Sequence, residues 1–197
     1  MSADLPFRIA LTLGALLFLP VMIYHRVRSQ STREPLDRMQ EGLFFLLTLR
    51  PLGVAVMLGL VAFLIQPSWM EWSSVALPTS LRWTGVGIAA MGGVLLVWTL
   101  RTLGMNLTDT VVTRKAHALV TRGPYRWVRH PFYDAALLMV LGNSLAAANW
   151  FLFAAGTVTF ILMAARSRIE ERKLLDRFGE PYRVYRERTG RFLPRLG

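Results

Sequence analysis

Long apolar stretches recur along this sequence of 197 residues, and the charged residues are concentrated in the segments between and after them. Five of the stretches have roughly 17 to 25 residues, the length that crosses a bilayer as an α-helix. The pattern therefore predicts an all-α polytopic membrane protein with about five transmembrane helices. The predicted spans are Leu5 to Tyr24, Leu43 to Ile65, Trp83 to Leu103, Phe132 to Ala148 and Trp150 to Ala165.

The polar chain that follows the last span predicts short C-terminal helices. A break is expected at Gly179-Glu180-Pro181, because glycine favours the end of a helix and proline its first turn. Apolar residues recur at helical spacing on both sides of this break, which is typical of helices that form a lid or lie on a membrane. They are Leu174, Leu175, Phe178, Tyr182 and Tyr185.

Composition supports the membrane interpretation and narrows the chemistry. The sequence is 53% apolar, has a mean hydropathy of +0.39 and contains no cysteine. Disulfides, thiolate metal sites and a cysteine nucleophile are therefore excluded. His25, His117 and His130 lack zinc-ligand spacing, so no metal site is expected. The first span lacks a basic N-terminal region and a cleavage site, and we expect it to be retained rather than removed as a signal peptide.

The net charge of +11 is explained by topology rather than by nucleic-acid binding. All but three of the 23 basic residues, the exceptions being Arg8, Arg50 and Arg82, fall on one side of a five-span arrangement. The segment from Gln66 to Leu81 carries none. By the positive-inside rule, the N-terminus is expected outside and the C-terminus in the cytoplasm, of the inner membrane if the source is bacterial. Membrane lipids, rather than nucleic acid or an obligate protein partner, are the expected contacts.

The second span contains Arg50-Pro51, where a proline kinks or breaks a helix and an arginine is costly in hydrocarbon. Either the span starts at Pro51, or one kinked helix carries Arg50 to the interface.

Spans four and five are joined by only Ala146-Ala147-Ala148-Asn149, which predicts a tight helical hairpin. The far ends of the two helices must then lie side by side. One end carries Arg129-His130-Pro131-Phe132-Tyr133 and the other carries the segment from Arg166 to Glu171. This convergence of two polar clusters is the strongest sequence-based indication of an active site.

The first cluster combines helix-start geometry with polar side chains. Pro131 suits the first position of a helix and places His130 at the cap. Free backbone N–H groups at such a start stabilise a small carboxylate, with His130 and Tyr133 available for directed hydrogen bonds. The alternative is an interfacial belt of aromatic and basic side chains.

In the second cluster, Arg166 and Glu170 are spaced i, i+4 and share one helix face. The carboxylate suits a cationic amine or ribose hydroxyls, and the guanidinium suits an anionic substrate group. The alternative is an exposed ion pair of little energetic weight.

Four blocks in this order resemble the isoprenylcysteine carboxyl methyltransferase family and its phospholipid methyltransferase relatives. They are the run from His117 to Tyr125, the run from Arg129 to Tyr133, the pair Glu170-Glu171, and the run from Phe178 to Tyr182. The resemblance covers roughly residues 103 to 195. It implies a membrane enzyme that binds S-adenosylmethionine at the cytoplasmic side under a lid of C-terminal helices.

The same resemblance implies roles for individual residues. Arg166 falls where these carboxyl methyltransferases place a substrate-contacting arginine, and Glu171 belongs to an acidic pair that phospholipid-type relatives use for the cofactor. Glu170 is expected to serve both cofactor binding and catalysis. The cofactor-binding residues implied are His117, Leu119, Val120, Tyr125, His130, Pro131, Phe132, Tyr133, Glu170 and Glu171.

The sequence departs from the family pattern at Asp134 and Ala135, where an apolar residue and then glycine are common, and Asp134 is expected to reshape the acceptor side. We expect one membrane domain over 1–197, with 1–103 as a three-span scaffold and 104–197 as the cofactor-binding half. The expected acceptor is a lipophilic carboxylate, amine or thiol. Two alternatives are an NADPH-dependent membrane reductase related to sterol reductases, and a nonenzymatic membrane protein of the same fold.

Overall fold

The computed structural model describes residues 3–30, 43–104 and 118–195, and it contains six α-helices and two short 3-10 helices within those ranges. No β-strand occurs in the described ranges, so the predicted all-α class is confirmed. The 3-10 helices are Pro67–Ser73 and Gly123–Arg126. The α-helices are α1 Leu5–Gln30, α2 Leu43–Ile65, α3 Thr79–Leu103, α4 Pro131–Ala147, α5 Trp150–Phe178 and α6 Glu180–Arg188.

Four of the described helices, α1, α2, α3 and α5, are long and apolar enough to cross a membrane. The remaining predicted span is α4, whose 17 residues lie at the lower limit for spanning. Along α1 and α2, large apolar side chains such as Leu16, Leu17 and Leu58 are more than half exposed. Exposed apolar surface on this scale requires hydrocarbon around it, because water does not solvate it favourably. The chain is thus an integral membrane protein.

The most extensive contact between two described helices joins α3 and α4. A side chain at Gly85 would place its Cβ 2.6 Å from the backbone nitrogen of Ala146, and one at Gly142 would overlap the backbone of Ala89. Close approach of this kind is typical of small residues in membrane helices. Gly92 also lies in this contact, as expected of a glycine in an apolar span.

The connection between α4 and α5 is stabilised by a left-handed residue and a helix cap. Ala148 adopts a left-handed conformation at φ 49°, and the Asn149 side chain caps α5 by accepting the Leu152 N–H at 3.0 Å. The predicted tight hairpin is therefore confirmed. Helix α5 continues past Ala165 to Phe178 without interruption, and α2 runs continuously through Pro51.

Arg82 connects three elements at the end of the bundle where the hairpin turns. Its side chain is buried, its Nε donates to the carbonyl of Ala146 at 2.9 Å, and a terminal nitrogen donates to Asp4 at 2.8 Å. The guanidinium also lies 3.9 Å from the ring centroid of Phe7. These contacts tie the start of α1 to both α3 and the end of α4.

Candidate active site

Tyr133 and Glu170 meet across the open end of the α4–α5 hairpin. The Tyr133 hydroxyl donates to Glu170 Oε1 at 2.6 Å. Arg166, one turn before Glu170 on α5, donates to the Tyr133 oxygen at 3.1 Å and lies 3.1 Å from the same Glu170 oxygen. The predicted convergence of the two polar clusters is thus confirmed. The ion pair is also largely buried rather than exposed, with side-chain exposures of 15% and 18%.

His130 lies between two carboxylates. It occupies the cap position before Pro131, as predicted, and its ring stacks on Tyr133 with a centroid distance of 5.3 Å and an interplanar angle of 15°. One ring nitrogen lies 3.1 Å from Glu171 and the other lies 3.6 Å from Glu170. The imidazole therefore connects the two acidic residues of α5 to the start of α4.

Glu171 is buried and receives hydrogen bonds from three residues. Besides His130, Arg129 donates through Nε at 2.9 Å, and Arg191 donates to both carboxylate oxygens at 3.1 and 2.7 Å. Two guanidinium groups offset the cost of burying this carboxylate. The same hydrogen bonds raise the pKa of Arg191. Glu171 is thereby committed to contacts within the protein.

The last described residues, 189–195, form what we term the C-terminal segment, which crosses the start of α4. The Arg129 and His130 N–H groups donate to the carbonyls of Gly190 and Arg191 at 2.9 and 3.1 Å. Phe192 then places its ring 5.7 Å from the His130 ring and 6.4 Å from the Tyr133 ring, measured between centroids. The segment covers the polar residues of the site on one side.

This pairing changes one sequence-based expectation. The N–H groups around the α4 start were expected to be free for a ligand carboxylate, and that expectation is wrong for three of them. The His130 N–H is bonded to the C-terminal segment, and the Tyr133 and Asp134 N–H groups donate to the His130 carbonyl at 2.9 and 3.2 Å. The side chains, rather than these three amides, are therefore the candidate ligand-binding groups of the site.

Helix α6 packs on the loop before α4. The Tyr185 hydroxyl donates to the Tyr125 carbonyl at 2.7 Å. Burial raises the pKa of Tyr185 to about 12, so the hydroxyl stays protonated as a donor at neutral pH. Burial also raises the pKa of the Tyr125 hydroxyl, with smaller contributions from Tyr185 and Glu170.

An open cleft of about 460 Å³, here called the apolar groove, lies on the other side of Phe192. Leu95 of α3, Leu137 and Leu138 of α4, and Phe192 of the C-terminal segment are among its lining side chains. Among the described residues that line it, Asp134, the residue after Tyr133, is the one that carries a charge. The groove and the polar site therefore share Phe192 as a wall.

The other predicted residues are placed less centrally. Pro131 is buried at the first position of α4, and Phe132 packs against the apolar core formed around Leu96, Leu100 and Ala135. Leu119 and Val120 are half-buried in an irregular segment and take no part in the hydrogen-bonded network of the described residues. His117 lies outside the described residues.

Three residues of the site have no role in the sequence-based prediction: Arg129, Arg191 and Phe192. Arg129 is part of a recognised block, but its type alone does not distinguish a buried partner of Glu171 from a basic residue at the membrane surface. Arg191 and Phe192 follow the last helix, where no periodic pattern indicates what they contact. The only sequence signal for these two residues was the arginine directly before an aromatic residue, and this pattern is a weak indication of a contact with the site.

The comparisons with known proteins agree with this architecture of membrane helices around a polar site. The model of the phospholipid methyltransferase family matches residues 80–181, which is just over half of the chain. The chain therefore belongs to this family. The match begins in α3, upstream of the expected start near residue 103, and it ends before the C-terminal segment.

Two relatives carry different acceptors in their names. A protein-S-isoprenylcysteine O-methyltransferase of Tribolium castaneum is 32% identical over 56% of this chain and 40% of its own length. A methanethiol S-methyltransferase of Mycobacterium tuberculosis is 31% identical over 64% of this chain and 46% of its own length. The chain thus spans about half the length of such relatives.

A solved structure has a similar fold. It is that of a eukaryotic intramembrane Ras methyltransferase, an isoprenylcysteine carboxyl methyltransferase, and it matches with a TM-score of 0.55 at 25% identity. The match covers 74% of this chain and 51% of the other.

Proposed function

We propose that this protein is an integral membrane methyltransferase that uses S-adenosylmethionine and acts on a lipophilic acceptor at the cytoplasmic membrane interface. The observation that carries the proposal is the contact of Glu170 with Tyr133 and Arg166, beside His130, at the open end of the hairpin. Membership of a methyltransferase family supports the type of reaction. The acceptors named for the two relatives, a prenylated cysteine and a small thiol, support acceptors of low polarity.

The donor set suits this cofactor. Glu170 has one oxygen engaged by Tyr133 and Arg166, while its Oε2 lies 3.6 Å from His130, beyond hydrogen-bond distance. That carboxylate would hold the cofactor's ammonium group or ribose hydroxyls. Arg166 would hold a carboxylate, and the stacked rings of His130 and Tyr133 would provide an aromatic surface. Tyr125, held in the loop before α4 by the Tyr185 hydroxyl, would complete the pocket.

Glu171 has a different role in this proposal. Its two oxygens are occupied by His130, Arg129 and Arg191, so it would position His130 and the C-terminal segment without touching the cofactor. The related methyltransferases suggest an acidic pair that binds cofactor together. In this chain the geometry favours dividing the pair, with Glu170 as ligand and Glu171 as a positioning residue.

S-adenosylmethionine, when bound, supplies a methyl group on a sulfonium that is its own leaving group. The residues of the site then have to orient the acceptor and exclude water. Arg166 would orient a carboxylate acceptor, which needs no base. For an amine or thiol acceptor, Glu170 is the nearest candidate to accept a proton. In this scheme residues 104–197 carry the cofactor site and residues 1–103 the scaffold.

Calorimetric titration of the detergent-purified protein with S-adenosylhomocysteine tests the proposal. We expect saturable binding that weakens about tenfold or more in Glu170→Gln and in His130→Ala, because each loses a direct ligand contact. Asp176→Asn removes an exposed carboxylate from the same helix and should bind like the wild type.

NADPH serves as the competing ligand in the same titration. Binding of NADPH with no binding of S-adenosylhomocysteine would replace the methyltransferase proposal with the reductase. Binding of neither, by protein whose thermal unfolding is intact, would contradict both enzyme readings.

A further inference from the structure

The 3-10 helix Pro67–Ser73, which connects α2 to α3, is held against the turn of the α4–α5 hairpin. A 3-10 helix has three residues per turn, so side chains three positions apart share one face. Met70 and Ser73 share the buried face. Asn149, the cap of α5, donates through Nδ2 to the Ser73 hydroxyl at 2.8 Å and to the Met70 carbonyl at 3.3 Å. These contacts give the short helix a fixed orientation on the bundle.

The other two faces of this helix are exposed and differ in polarity. Trp69 and Trp72 form one of them, here called the tryptophan face, and each side chain is 61% exposed. Ser68 and Glu71 form the other, which is exposed and polar. A helix with one apolar and one polar exposed face suits the boundary between hydrocarbon and water. There the tryptophan face turns to the acyl chains and the polar face to the headgroups.

The tryptophan face continues into a larger aromatic surface at the same end of the bundle. Trp72 meets the ring of Trp150 edge-on at a centroid distance of 5.5 Å, and Trp150 is itself 48% exposed. Trp83, near the start of α3, is 46% exposed. Tryptophan concentrates at the headgroup level of a bilayer, because its ring is apolar and its N–H is polar. Four of the six tryptophans therefore mark one membrane surface.

This aromatic surface and the candidate active site are separated by the thickness of a membrane. Helix α5 is continuous from Trp150 to Glu170, a distance of about 30 Å at 1.5 Å per residue. The hydrocarbon core of a bilayer is also about 30 Å thick. With Trp150 at one headgroup layer, Glu170 therefore lies at the other.

The charge of the connection indicates which headgroups it tolerates. The segment from Gln66 to Leu81 contains Glu71 and no basic residue. An anionic lipid headgroup is repelled by this carboxylate. A zwitterionic headgroup instead offers an ammonium group, which is attracted both to a carboxylate and to the face of an indole ring.

We propose that the 3-10 helix Pro67–Ser73 binds the zwitterionic phospholipids of the membrane surface opposite the candidate active site. Trp69 and Trp72 lie at the boundary of the acyl chains, and Glu71 faces the ammonium groups. This contact sets the depth of the bundle, and through α5 it holds Glu170 at the opposite headgroup layer. The proposal is independent of the reaction that the site catalyses.

Quenching of tryptophan fluorescence by brominated lipids tests the proposal. The full chain is placed in phosphatidylcholine nanodiscs with equal fractions of either brominated phosphatidylcholine or brominated phosphatidylglycerol, each with bromine near the headgroup end of the acyl chain. The wild-type signal minus that of Trp69→Phe/Trp72→Phe reports the tryptophan face. We expect strong quenching by lipid, little quenching by aqueous acrylamide, and about twofold stronger quenching by the choline lipid than by the glycerol lipid. Glu71→Gln should remove that twofold difference.

The matched control is Trp98→Phe/Trp127→Phe, which removes two tryptophans from the other end of the bundle. Arg126 lies over the Trp127 ring at 4.1 Å, so the anionic lipid should quench this pair at least as strongly as the zwitterionic one. Quenching of the tryptophan face by acrylamide alone would place it in water. Quenching by neither agent would mean that another copy of the chain covers it. Either result, or the same lipid preference at both ends, would overturn the inference.

A spin label tests the same contact with both tryptophans in place. The sequence contains no cysteine, so Ser68→Cys carries a nitroxide at a single position. We expect collision rates with oxygen and with a water-soluble nickel chelate that correspond to the headgroup level. Leu58→Cys, at a more than half exposed position of α2, supplies the reference for the hydrocarbon. A Ser68→Cys label in bulk water would contradict the proposal even if the tryptophan variants failed to fold.

Discussion

Arg191 donates to both carboxylate oxygens of Glu171, although the two residues are separated by the end of α5 and the whole of α6. A guanidinium and a carboxylate paired in this way form a directional contact that fixes orientation as well as distance. Glu171 also accepts hydrogen bonds from Arg129 and His130. One buried carboxylate therefore joins α5, the α4 start and the C-terminal segment.

Glu171→Gln should loosen this junction. Glutamine keeps the size but loses the charge that offsets Arg129 and Arg191, and we expect destabilisation of about 3 kcal/mol. The loosened junction would be seen as a lower midpoint of thermal unfolding in detergent and as faster tryptic cleavage within residues 189–195. Asp176→Asn on the same helix is the matched control and should change neither property. An unchanged cleavage rate in Glu171→Gln would show that the segment is held by other contacts.

Removal of a hydroxyl should matter at Tyr133 and not at Tyr182. The Tyr133 hydroxyl bonds to Glu170 and Arg166, and a hydrogen bond to a charged group contributes about 1.5 to 3 kcal/mol. The Tyr182 hydroxyl is buried with no hydrogen-bond partner among the described residues. Tyr133→Phe should therefore weaken S-adenosylhomocysteine binding about tenfold, while Tyr182→Phe leaves binding intact and stability equal or higher. Equal effects of the two substitutions would argue against a ligand-binding role for Tyr133.

The contact between α3 and α4 should not accept a methyl group. Gly142→Ala would force its new Cβ into the backbone of Ala89, and overpacking of this kind costs about 1 to 3 kcal/mol. Gly87→Ala, on α3 but with open space around the added atom, should be neutral or slightly stabilising. Thermal unfolding of the two variants in one detergent makes the comparison. Similar midpoints would mean that the helices separate without penalty.

Arg82→Met should destabilise the end of the bundle opposite the site. The substitution leaves Asp4 without its cation and the Ala146 carbonyl without its donor, which we expect to cost about 2 kcal/mol. Arg183→Met provides the comparison, because Arg183 and Glu180 form an ion pair whose side chains are both more than half exposed, and such a pair should contribute little. Affinity for S-adenosylhomocysteine should stay within twofold of the wild type in Arg82→Met. A large loss of affinity there would mean that the two ends of α4 are coupled.

Sequence patterns predicted the elements that depend on local signals. The apolar stretches defined the helices, and the short connection before Asn149 was sufficient to bring Tyr133 and Glu170 together. Arg166 and Glu170 were placed on one face by their spacing alone. These features follow from helix geometry and loop length, which a single sequence records directly.

The remaining features depend on contacts between distant segments. Nothing near Arg191 in the sequence indicates that it reaches Glu171, since a chain of irregular conformation after α6 can turn in many directions. The pairing of the His130 N–H with the Arg191 carbonyl has the same origin. This hydrogen bond was therefore not predicted, and the amides at the α4 start were expected to be free, whereas in the folded chain they are hydrogen-bonded within the protein.

The close contact of α3 and α4 bears on the width of the apolar groove, although Gly85 itself is distant from the groove. From Gly85 to Trp98 along α3 is about 20 Å at 1.5 Å per residue. Leu95 and Trp98 face Leu137 and Leu138 across the groove, so the interaxial distance set at Gly85 and Gly142 also determines how wide the groove is. A homologue with larger residues at these two positions would hold its helices further apart and have a wider groove, even with every residue of the groove unchanged.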